Sequence, residues 1–254
     1  MSCPEPYLNI DHEKRTEALI RDIRRTFSKK KFSKAVLGIS GGVDSAVVAA
    51  LLSKALGSEN VTGIMMPYGG QGTKDAENVI KTFGIKSLKI NIAPMIDAYF
   101  GLPGNASRER KGNKMARERM TILYDQSLAL GALVVGTGNR TEIALGYFTL
   151  YGDGASAIAP LASLYKTQVF RMAEYLGVPS RIISKKPSAD LWEGQTDEDE
   201  IGAAYLDMDR VLYNLDKGKN PEEIVSMGMD KEVVDLVVRR VNDNRYKMEG
   251  PVLL

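Results

Sequence analysis

A glycine- and serine-rich segment between two apolar stretches is the part of the sequence best suited to bind phosphate. Residues 38–45 read Gly-Ile-Ser-Gly-Gly-Val-Asp-Ser, after the apolar run of residues 35–37. If a strand ends and a helix begins here, the unpaired N–H groups and the helix dipole favour an anion. Gly41 and Gly42 allow the backbone to approach that anion closely, and Ser40 adds a hydroxyl donor. The segment therefore predicts a phosphate-binding turn.

Asp44 is the unusual residue of this turn, because a carboxylate repels phosphate unless a cation bridges the two. Magnesium does so through one or two carboxylates together with phosphate oxygens, so Asp44 indicates magnesium. The turn has neither the Gly-Lys-Ser/Thr ending nor the Gly-x-Gly-x-x-Gly spacing of the two commonest nucleotide motifs. A plain strand-to-helix turn capped by serine is the alternative interpretation, which Asp44 and Ser45 together disfavour.

Histidine and cysteine are scarce, with one cysteine at Cys3 and one histidine at His12. A lone cysteine cannot form an internal disulfide, and no Cys and His cluster is present to bind zinc. Both residues lie near the start of the chain, so we do not expect a Cys-His nucleophilic pair. The chemistry is therefore expected from Asp, Glu, Lys, Arg, Ser and backbone amides.

The segments around the turn alternate between strands and helices. The predicted strands are residues 35–39, 61–66, 86–91 and 132–136. The predicted helices are residues 10–27, 45–56, 75–83 and 107–130. This alternation predicts an α/β fold with a parallel sheet and helices on both faces. Ligands of such sheets bind beyond the carboxyl ends of the strands, where the first turn and a second one at residues 136–139 both fall.

The last hundred residues are predicted to be mostly helical, at residues 167–175, 196–213 and 222–241. Gly177 and Pro179 end the first of these helices, and Thr196 begins the second with a capping pattern. The sequence has no internal repeat and no low-complexity linker. We therefore predict a single domain over residues 1–254.

Composition excludes several classes of protein. The 34 basic and 32 acidic residues give a net charge of +2, and 44% of residues are hydrophobic, which excludes a disordered chain. The longest uncharged stretches, residues 60–73 and 126–139, are shorter than the roughly 18 apolar residues of a membrane span. Residues 1–6 lack the features of a secretory signal. We expect a cytoplasmic protein that binds neither membranes nor nucleic acid.

Four segments resemble known families. Residues 40–45 resemble the signature of the N-type ATP pyrophosphatases, which adenylate an oxygen and let a nitrogen or sulfur nucleophile displace AMP. Residues 113–120, 136–142 and 146–154 resemble three motifs of one member, the ammonia-dependent NAD synthetase family: Asn-x-x-Ala-Arg-x-Arg-Met, Gly-Thr…Glu and Gly-Phe/Tyr-Phe-Thr-x-Tyr-Gly-Asp-Gly. The resemblance extends in order over about residues 18–247. It implies a Rossmann-like fold of the adenine-nucleotide alpha-hydrolase type.

This resemblance implies a ligase of NAD biosynthesis that amidates deamido-NAD with ammonia through an acyl-adenylate, releasing AMP and pyrophosphate. The implied ATP-binding residues are Gly38, Ile39, Ser40, Gly41, Gly42, Val43, Asp44, Ser45, Thr137, Lys166 and Ser188. Asp44 and Glu142 are the implied magnesium ligands, and Asp44 and Lys166 the catalytic residues. The implied contacts to deamido-NAD are Arg117, Phe148, Asp153 and Lys247. A homodimer with the acid bound at or near the subunit interface is also implied.

The sequence departs from the family pattern only on the side of the acid substrate. Leu150, Ala157 and Tyr246 stand where the family has lysine, aspartate and histidine, and Met115 replaces a lysine. Either the chain binds deamido-NAD through other contacts, or it amidates a different carboxylic acid. Because a glutaminase needs an activated cysteine, ammonia is the expected nitrogen donor.

Two further interpretations remain open. The basic residues 108–119 suggest an RNA-binding thiolation enzyme. Such enzymes generally use cysteine pairs or a bound cluster, which Cys3 alone cannot provide. A nucleotide-binding sensor without catalysis is the other, and the presence of Asp44, Glu142 and Lys166 disfavours it.

Overall fold

A four-stranded parallel sheet forms the centre of the structure, a computed structural model that describes residues 8–101, 106–188, 191–192 and 194–250. Cys3 lies outside these residues. The strands are β1 (Lys34–Gly38), β2 (Val61–Met65), β3 (Lys86–Lys89) and β4 (Ala132–Val134). Their order across the sheet is β3-β2-β1-β4, and every neighbouring pair is parallel.

Helices cover both faces of this sheet, which confirms the predicted fold class. They are α1 (His12–Lys30), α2 (Val43–Leu56), α3 (Lys74–Phe83), α4 (Ala93–Phe100), α5 (Arg108–Leu130), α6 (Arg140–Ala144), α7 (Lys166–Tyr175), α8 (Ser180–Ile183), α9 (Asp197–Ile201), α10 (Tyr205–Asp216), α11 (Pro221–Ser226) and α12 (Lys231–Asn244). Helices α1, α2, α3 and α7 share one apolar core with the sheet. Helices α4 and α5 share another on the opposite face.

Burial explains why the strands and α2 have their composition. The central strands present Leu37 to one core and Val36, Ile64 and Val134 to the other, all fully buried. Strand β3 lies at the edge of the sheet and is exposed along its whole length. Helix α2 is apolar nearly all round because it packs between the sheet and the helices α1 and α7.

Glycines divide the two long helices predicted near the C-terminus. Residues 196–213 form α9 and α10, because Gly202 ends α9 with a φ of 98°. Residues 222–241 lie in α11 and α12, and Gly228, with a φ of 87°, lies between them. A positive φ suits glycine and cannot continue a right-handed helix. Apolar periodicity ran across both breaks, so the two uninterrupted helices were wrongly predicted.

A third apolar core joins these C-terminal helices to each other and to the sheet layers. It contains Met208 and Val211 of α10, Ile224 of α11, and Val234 of α12. Helix α10 also packs against α6 and α7, which brings it to the carboxyl end of the sheet. Among the described helices, none combines the length and the apolar character needed to cross a membrane.

Candidate active site

A cavity of about 570 Å³ opens beyond the carboxyl ends of the strands, where parallel sheets bind ligands. Most of the predicted site residues line it: Gly38, Ile39, Ser40, Gly42, Asp44, Ser45, Thr137, Glu142, Phe148, Asp153, Lys166, Ser188 and Lys247. Its size is typical of sites for small molecules and cofactors. The structure therefore brings together residues from segments that are far apart in the sequence.

The turn between β1 and α2 has the geometry of a phosphate site. Gly41 has a φ of 83°, and a Cβ there would lie 2.7 Å from the Cβ of Asp75, so the chain needs glycine. Gly42 is the N-cap of α2 and supplies no side-chain acceptor, so it does not cap the amides of the first turn. The hydroxyls of Ser40 and Ser45 are oriented by Gly42, whose N–H donates to one and whose carbonyl accepts from the other.

Lys166 lies between the two carboxylates that were predicted to bind metal. Its Nζ is 2.6 Å from Oδ2 of Asp44 and 2.9 Å from Oε1 of Glu142. The lysine side chain is 2% exposed, against 17% for each carboxylate. Asn139 holds the remaining oxygens, because its Nδ2 donates to Oδ1 of Asp44 and its backbone N–H to Oε2 of Glu142. We call Asp44, Lys166 and Glu142 the charged triad.

Lys166 stabilises the charge of Glu142, and both carboxylates stabilise the charge of Lys166. Burial raises the pKa of Glu142, Lys166 opposes this rise, and Asp44 adds to it. Burial disfavours the ammonium form of Lys166, but the attraction of Asp44 and Glu142 outweighs burial and raises the pKa of the lysine. Lys166 is therefore an ammonium ion that offers positive charge at the cavity wall.

The donor chemistry of Asp44 and Glu142 fits magnesium, which prefers hard oxygen ligands. The hydrogen bonds from Lys166 and Asn139 use one lone pair on each carboxylate oxygen, so each oxygen keeps a further lone pair, and both carboxylates line the cavity. Within the described residues, no three His, Cys, Asp or Glu side chains converge on one metal position. A magnesium ion here would need phosphate oxygens as additional ligands.

The run at residues 146–154 forms another wall of the cavity. Lys247 donates to the carbonyl of Gly146 at 2.7 Å, and its Nζ lies 5.5 Å from the ring centroid of Phe148. Oδ1 of Asp153 accepts from the Thr149 N–H at 2.9 Å. A Cβ on Gly154 would lie 2.5 Å from the Phe148 ring. Close packing therefore explains the small residues of this motif.

Arg117 is the predicted substrate contact that lies furthest from this arrangement. Its Nε donates to the carbonyl of Leu150 at 3.1 Å, and its side chain is not among the cavity-lining groups of the described residues. Arg119, two residues further along α5, does line the cavity, and its Nε donates to the carbonyl of Met66. Two predicted turn residues, Gly41 and Val43, are likewise set back behind the cavity wall.

Several residues of the site were missed by the sequence analysis. Asn139 was the easiest of these to predict, since it directly follows the second glycine turn and caps α6. Asp197 and Arg240 line the cavity, and the ring of Tyr205 lies 5.0 Å from Nζ of Lys166. These three residues come from the helical C-terminal part, where no local pattern marks a residue that points into a cavity.

The residues that depart from the family pattern lie outside the cavity wall of the described chain. Leu150 contributes its carbonyl to Arg117, Ala157 packs against the main apolar core, and Tyr246 is 59% exposed. The departures are therefore not substitutions within the triad or the phosphate-binding turn.

A parallel α/β sheet with this glycine turn and charged triad at its carboxyl edge defines a protein of the N-type ATP pyrophosphatase class. A family model described as NAD synthase matches residues 15–251. The chain belongs to the NAD synthase family, as its motifs predicted.

Relatives and solved structures agree with this membership over nearly the full length. The chain is 51% identical over 239 residues to the NH(3)-dependent NAD(+) synthetase of Fusobacterium nucleatum subsp. nucleatum, covering 92% of this chain and 93% of that protein. It superposes on an NMN synthetase from Francisella tularensis with a TM-score of 0.86 and 32% identity, covering 97% and 99% of the two chains. The structure of an NH3-dependent NAD synthetase from Campylobacter jejuni superposes with a TM-score of 0.83 and 31% identity, covering 97% of this chain and 100% of that one.

Proposed function

We propose that the chain is an ammonia-dependent NAD synthetase, which amidates the nicotinate carboxylate of deamido-NAD at the expense of ATP. The observation that carries this proposal is the charged triad beside the phosphate-binding turn of a cavity, in a member of the NAD synthase family. Similarity to the Fusobacterium protein supports ammonia as the nitrogen donor.

The reaction has two balanced steps. A carboxylate oxygen of the substrate forms a bond to the α-phosphorus of ATP, and the bond from that phosphorus to the bridging oxygen breaks, so pyrophosphate leaves. Ammonia then forms a bond to the acyl carbon of the adenylate, AMP leaves with the electrons of the acyl–oxygen bond, and the nitrogen loses a proton. Neither step needs a covalent nucleophile from the protein.

The residues of the site act in this reaction by positioning and by electrostatic stabilisation. The turn at residues 38–45 binds the phosphates, together with Thr137 and Ser188. The Lys166 ammonium, buried and desolvated, stabilises negative charge that develops on the α-phosphate. Asp44 and Glu142 would hold magnesium, which supplies charge neutralisation for the phosphates when it is bound.

The acid substrate is assigned to the opposite wall of the cavity. There Phe148 offers an aromatic ring, and Asp153 and Lys247 offer polar groups near it. Arg117 lies outside the cavity of this chain, and its role as a substrate contact fits best with a cavity completed by a second subunit. We therefore include a homodimer in the proposal. A single domain over residues 1–254, a cytoplasmic location, and no membrane or nucleic-acid partner complete it.

Nicotinate mononucleotide is a second candidate for the acid substrate. The Francisella tularensis structure with a TM-score of 0.86 is described as an NMN synthetase. Leu150, Ala157 and Tyr246 also depart from the family pattern on the side of the acid. Both candidates present the same nicotinate carboxylate to ATP, so the triad and the turn have the same roles in either reaction.

Steady-state assays with purified protein distinguish the two substrates. The protein is supplied with ATP, magnesium and ammonium, together with deamido-NAD or nicotinate mononucleotide, and both AMP and the amide product are measured. We expect AMP and NAD in equal amounts, with a higher kcat/KM for deamido-NAD. A higher kcat/KM for the mononucleotide selects the second candidate, and absence of AMP with both acids contradicts the amidation itself. Omission of ammonium is the control for the nitrogen source.

A further inference from the structure

A carboxylate behind the cavity connects the two short segments that carry Lys166 and Glu142. Asp209, in the middle of α10, is fully buried and does not line the cavity of the described residues. Its Oδ1 accepts a hydrogen bond from the Thr141 hydroxyl, and its Oδ2 accepts from the Thr167 N–H at 2.8 Å. Thr141 precedes Glu142, and Thr167 follows Lys166. One side chain from the helical C-terminal part therefore fixes the backbone beside two members of the charged triad.

The start of α7 depends on these contacts, because Tyr165 at its N-cap makes no side-chain capping bond. The Lys166 N–H donates instead to the Thr141 hydroxyl oxygen at 2.9 Å, and the next N–H donates to Asp209. The first amides of a helix need such external acceptors, and a negative charge is favourable there. The Lys166 and Thr167 amides at the start of α7 are therefore capped by residues of α6 and α10, while the Tyr165 N–H donates to Oε1 of Gln168 within α7.

Thr141 closes this network into a ring. Its hydroxyl donates to Asp209 and accepts from the Lys166 N–H, so both hydrogen-bonding functions are satisfied in one orientation. Thr141 and Asp209 are both fully buried, so water does not compete for these bonds. The ring sets the separation of α6 and α7, and with it the distance over which Lys166 reaches Glu142.

A purely structural role explains Asp209 poorly. A buried carboxylate is costly unless it is paired with a cation, and the two hydrogen bonds above come from a neutral hydroxyl and a neutral amide. An amide side chain would fill the same space with less desolvation. What the carboxylate adds is two acceptors at once, one for each segment that carries a member of the triad.

We infer that Asp209 is a positioning residue, which acts through Thr141 and the start of α7 to hold Lys166 against Asp44 and Glu142. The inference rests on the proposed function, in which Lys166 stabilises charge on the α-phosphate. Loss of Asp209 therefore affects the transition state more than the binding of ATP. That difference separates a positioning role from one in substrate binding.

The activity test compares Asp209→Ala with Asp209→Asn. The alanine variant removes both acceptors, and we expect kcat to fall on the order of 10-fold to 100-fold, as for misplaced catalytic groups, with a smaller change in the KM for ATP. The asparagine variant keeps an acceptor for the Thr167 N–H in its amide oxygen, but its NH₂ cannot accept from the Thr141 hydroxyl. We expect its kcat to lie between those of the wild type and Asp209→Ala. Thr141→Val, which leaves Asp209 in place, is expected to lower kcat in the same direction.

Asn214→Ala is the matched control. Asn214 lies on the same helix, is 3% exposed, and donates from Nδ2 to the Arg210 carbonyl at 2.9 Å, away from the cavity. We expect this variant to lose thermal stability while its kcat stays within twofold of the wild type, a change on the order of 0.4 kcal/mol. All assays are run well below the unfolding temperature of the least stable variant.

A second readout is independent of activity. Lysine acylation, followed site by site with mass spectrometry, reports the exposure of Nζ, with the 84% exposed Lys14 as internal reference. In the wild type and in Asn214→Ala, Lys166 should react slowly because it is 2% exposed and bound by two carboxylates. In Asp209→Ala it should react about tenfold faster or more, because local opening exposes it.

The turnover and labelling measurements can contradict the positioning role separately from the proposed function. Unchanged kcat and unchanged Lys166 labelling in Asp209→Ala contradict the positioning role, as does an equal loss of kcat in Asn214→Ala. If the wild type releases no AMP with either acid while the labelling of Lys166 still rises in Asp209→Ala, the proposed function fails and the positioning role stands.

Discussion

At the scale of single residues, Lys166 determines the electrostatics of the site. The sequence places Asp44 and Glu142 at two strand-to-helix turns, and the resemblance adds Lys166, so all three were predicted as members of one site. Their mutual arrangement was not predictable. The reach of Lys166 across to both carboxylates depends on how α7 packs against α2 and α6, which local sequence patterns do not encode.

Replacing Lys166 by methionine tests the triad. Removing one partner of a buried charge network leaves uncompensated charge, so we expect the free energy of unfolding at pH 8 to fall by about 3–5 kcal/mol. Catalytic release of AMP should fall sharply. Both quantities are measurable on the same preparation, by denaturant unfolding without ATP and magnesium and by steady-state kinetics.

The loss of stability in Lys166→Met should also depend on pH. Without the ammonium ion, burial and Asp44 raise the pKa of Glu142 further, so the native state binds more protons than the unfolded state. Stability of the variant therefore rises as pH falls from 8 to 5. The control is Lys14→Met, whose pair with Asp11 is exposed to solvent and should contribute little to stability at any pH. Equal losses in the two variants at pH 8 would argue against the triad.

At the scale of elements, the sequence predicted the strands and helices that have a periodic apolar pattern. It missed the helix breaks and the short helix that depend on individual tertiary contacts. Buried strands, the glycine turn after β1, and the helices α1, α2, α3, α5 and α7 follow from apolar periodicity and capping signals. The breaks at Gly202 and Gly228, and the five-residue α6 that carries Glu142, do not. A short helix is stable only through tertiary packing, so a periodic pattern gives little sign of it.

Gly146 offers a test of how closely the elements around the cavity pack. It has a φ of 63°, and a Cβ there would lie 2.1 Å from the Cβ of Asn244 on α12. Gly146→Ala should therefore cost about 1–2 kcal/mol for the left-handed backbone and roughly 1–3 kcal/mol more for overpacking. Because the Gly146 carbonyl accepts from Lys247, we also expect a higher KM for the acid substrate.

Gly177→Ala is the matched control, since Gly177 has a φ of 77° but nothing within 4 Å of its Cβ position. Gly177→Ala has the free-energy cost of the left-handed backbone but no steric clash of the new Cβ. Chemical denaturation of both variants measures the difference. If the two lose equal stability, α12 does not pack against Gly146 as closely as the structure shows.

At the scale of the whole molecule, buried carboxyl groups should determine how stability varies with pH. Burial raises the pKa values of Glu142, Asp197 and Asp209, in the last case to about 6. These groups come from both the sheet layers and the helical C-terminal part, so their protonation affects the stability of the whole fold. Sequence composition, with nearly equal numbers of acidic and basic residues, gives no indication of it.

The direction of the effect follows from proton binding. A carboxyl group whose pKa is raised in the native state binds more protons there than in the unfolded state, so stability falls as pH rises through that interval. For Asp209, a rise from 3.8 to about 6 corresponds to on the order of 3 kcal/mol. We therefore expect the unfolding free energy, measured without nucleotide or magnesium, to be higher at pH 5 than at pH 7.5.

Asp209→Asn isolates one contribution to this dependence, since asparagine does not titrate and its amide oxygen can still accept from the Thr167 N–H. Its unfolding free energy should fall less steeply than that of the wild type between pH 4.5 and 7. Asp199→Asn is the control, because Asp199 is exposed on α9 and should leave the slope unchanged. A wild-type stability that instead rises steadily from pH 5 to 7.5 would show that these carboxyl groups are charged and well solvated in the folded protein. That result would contradict the buried hydrogen-bond network around Lys166.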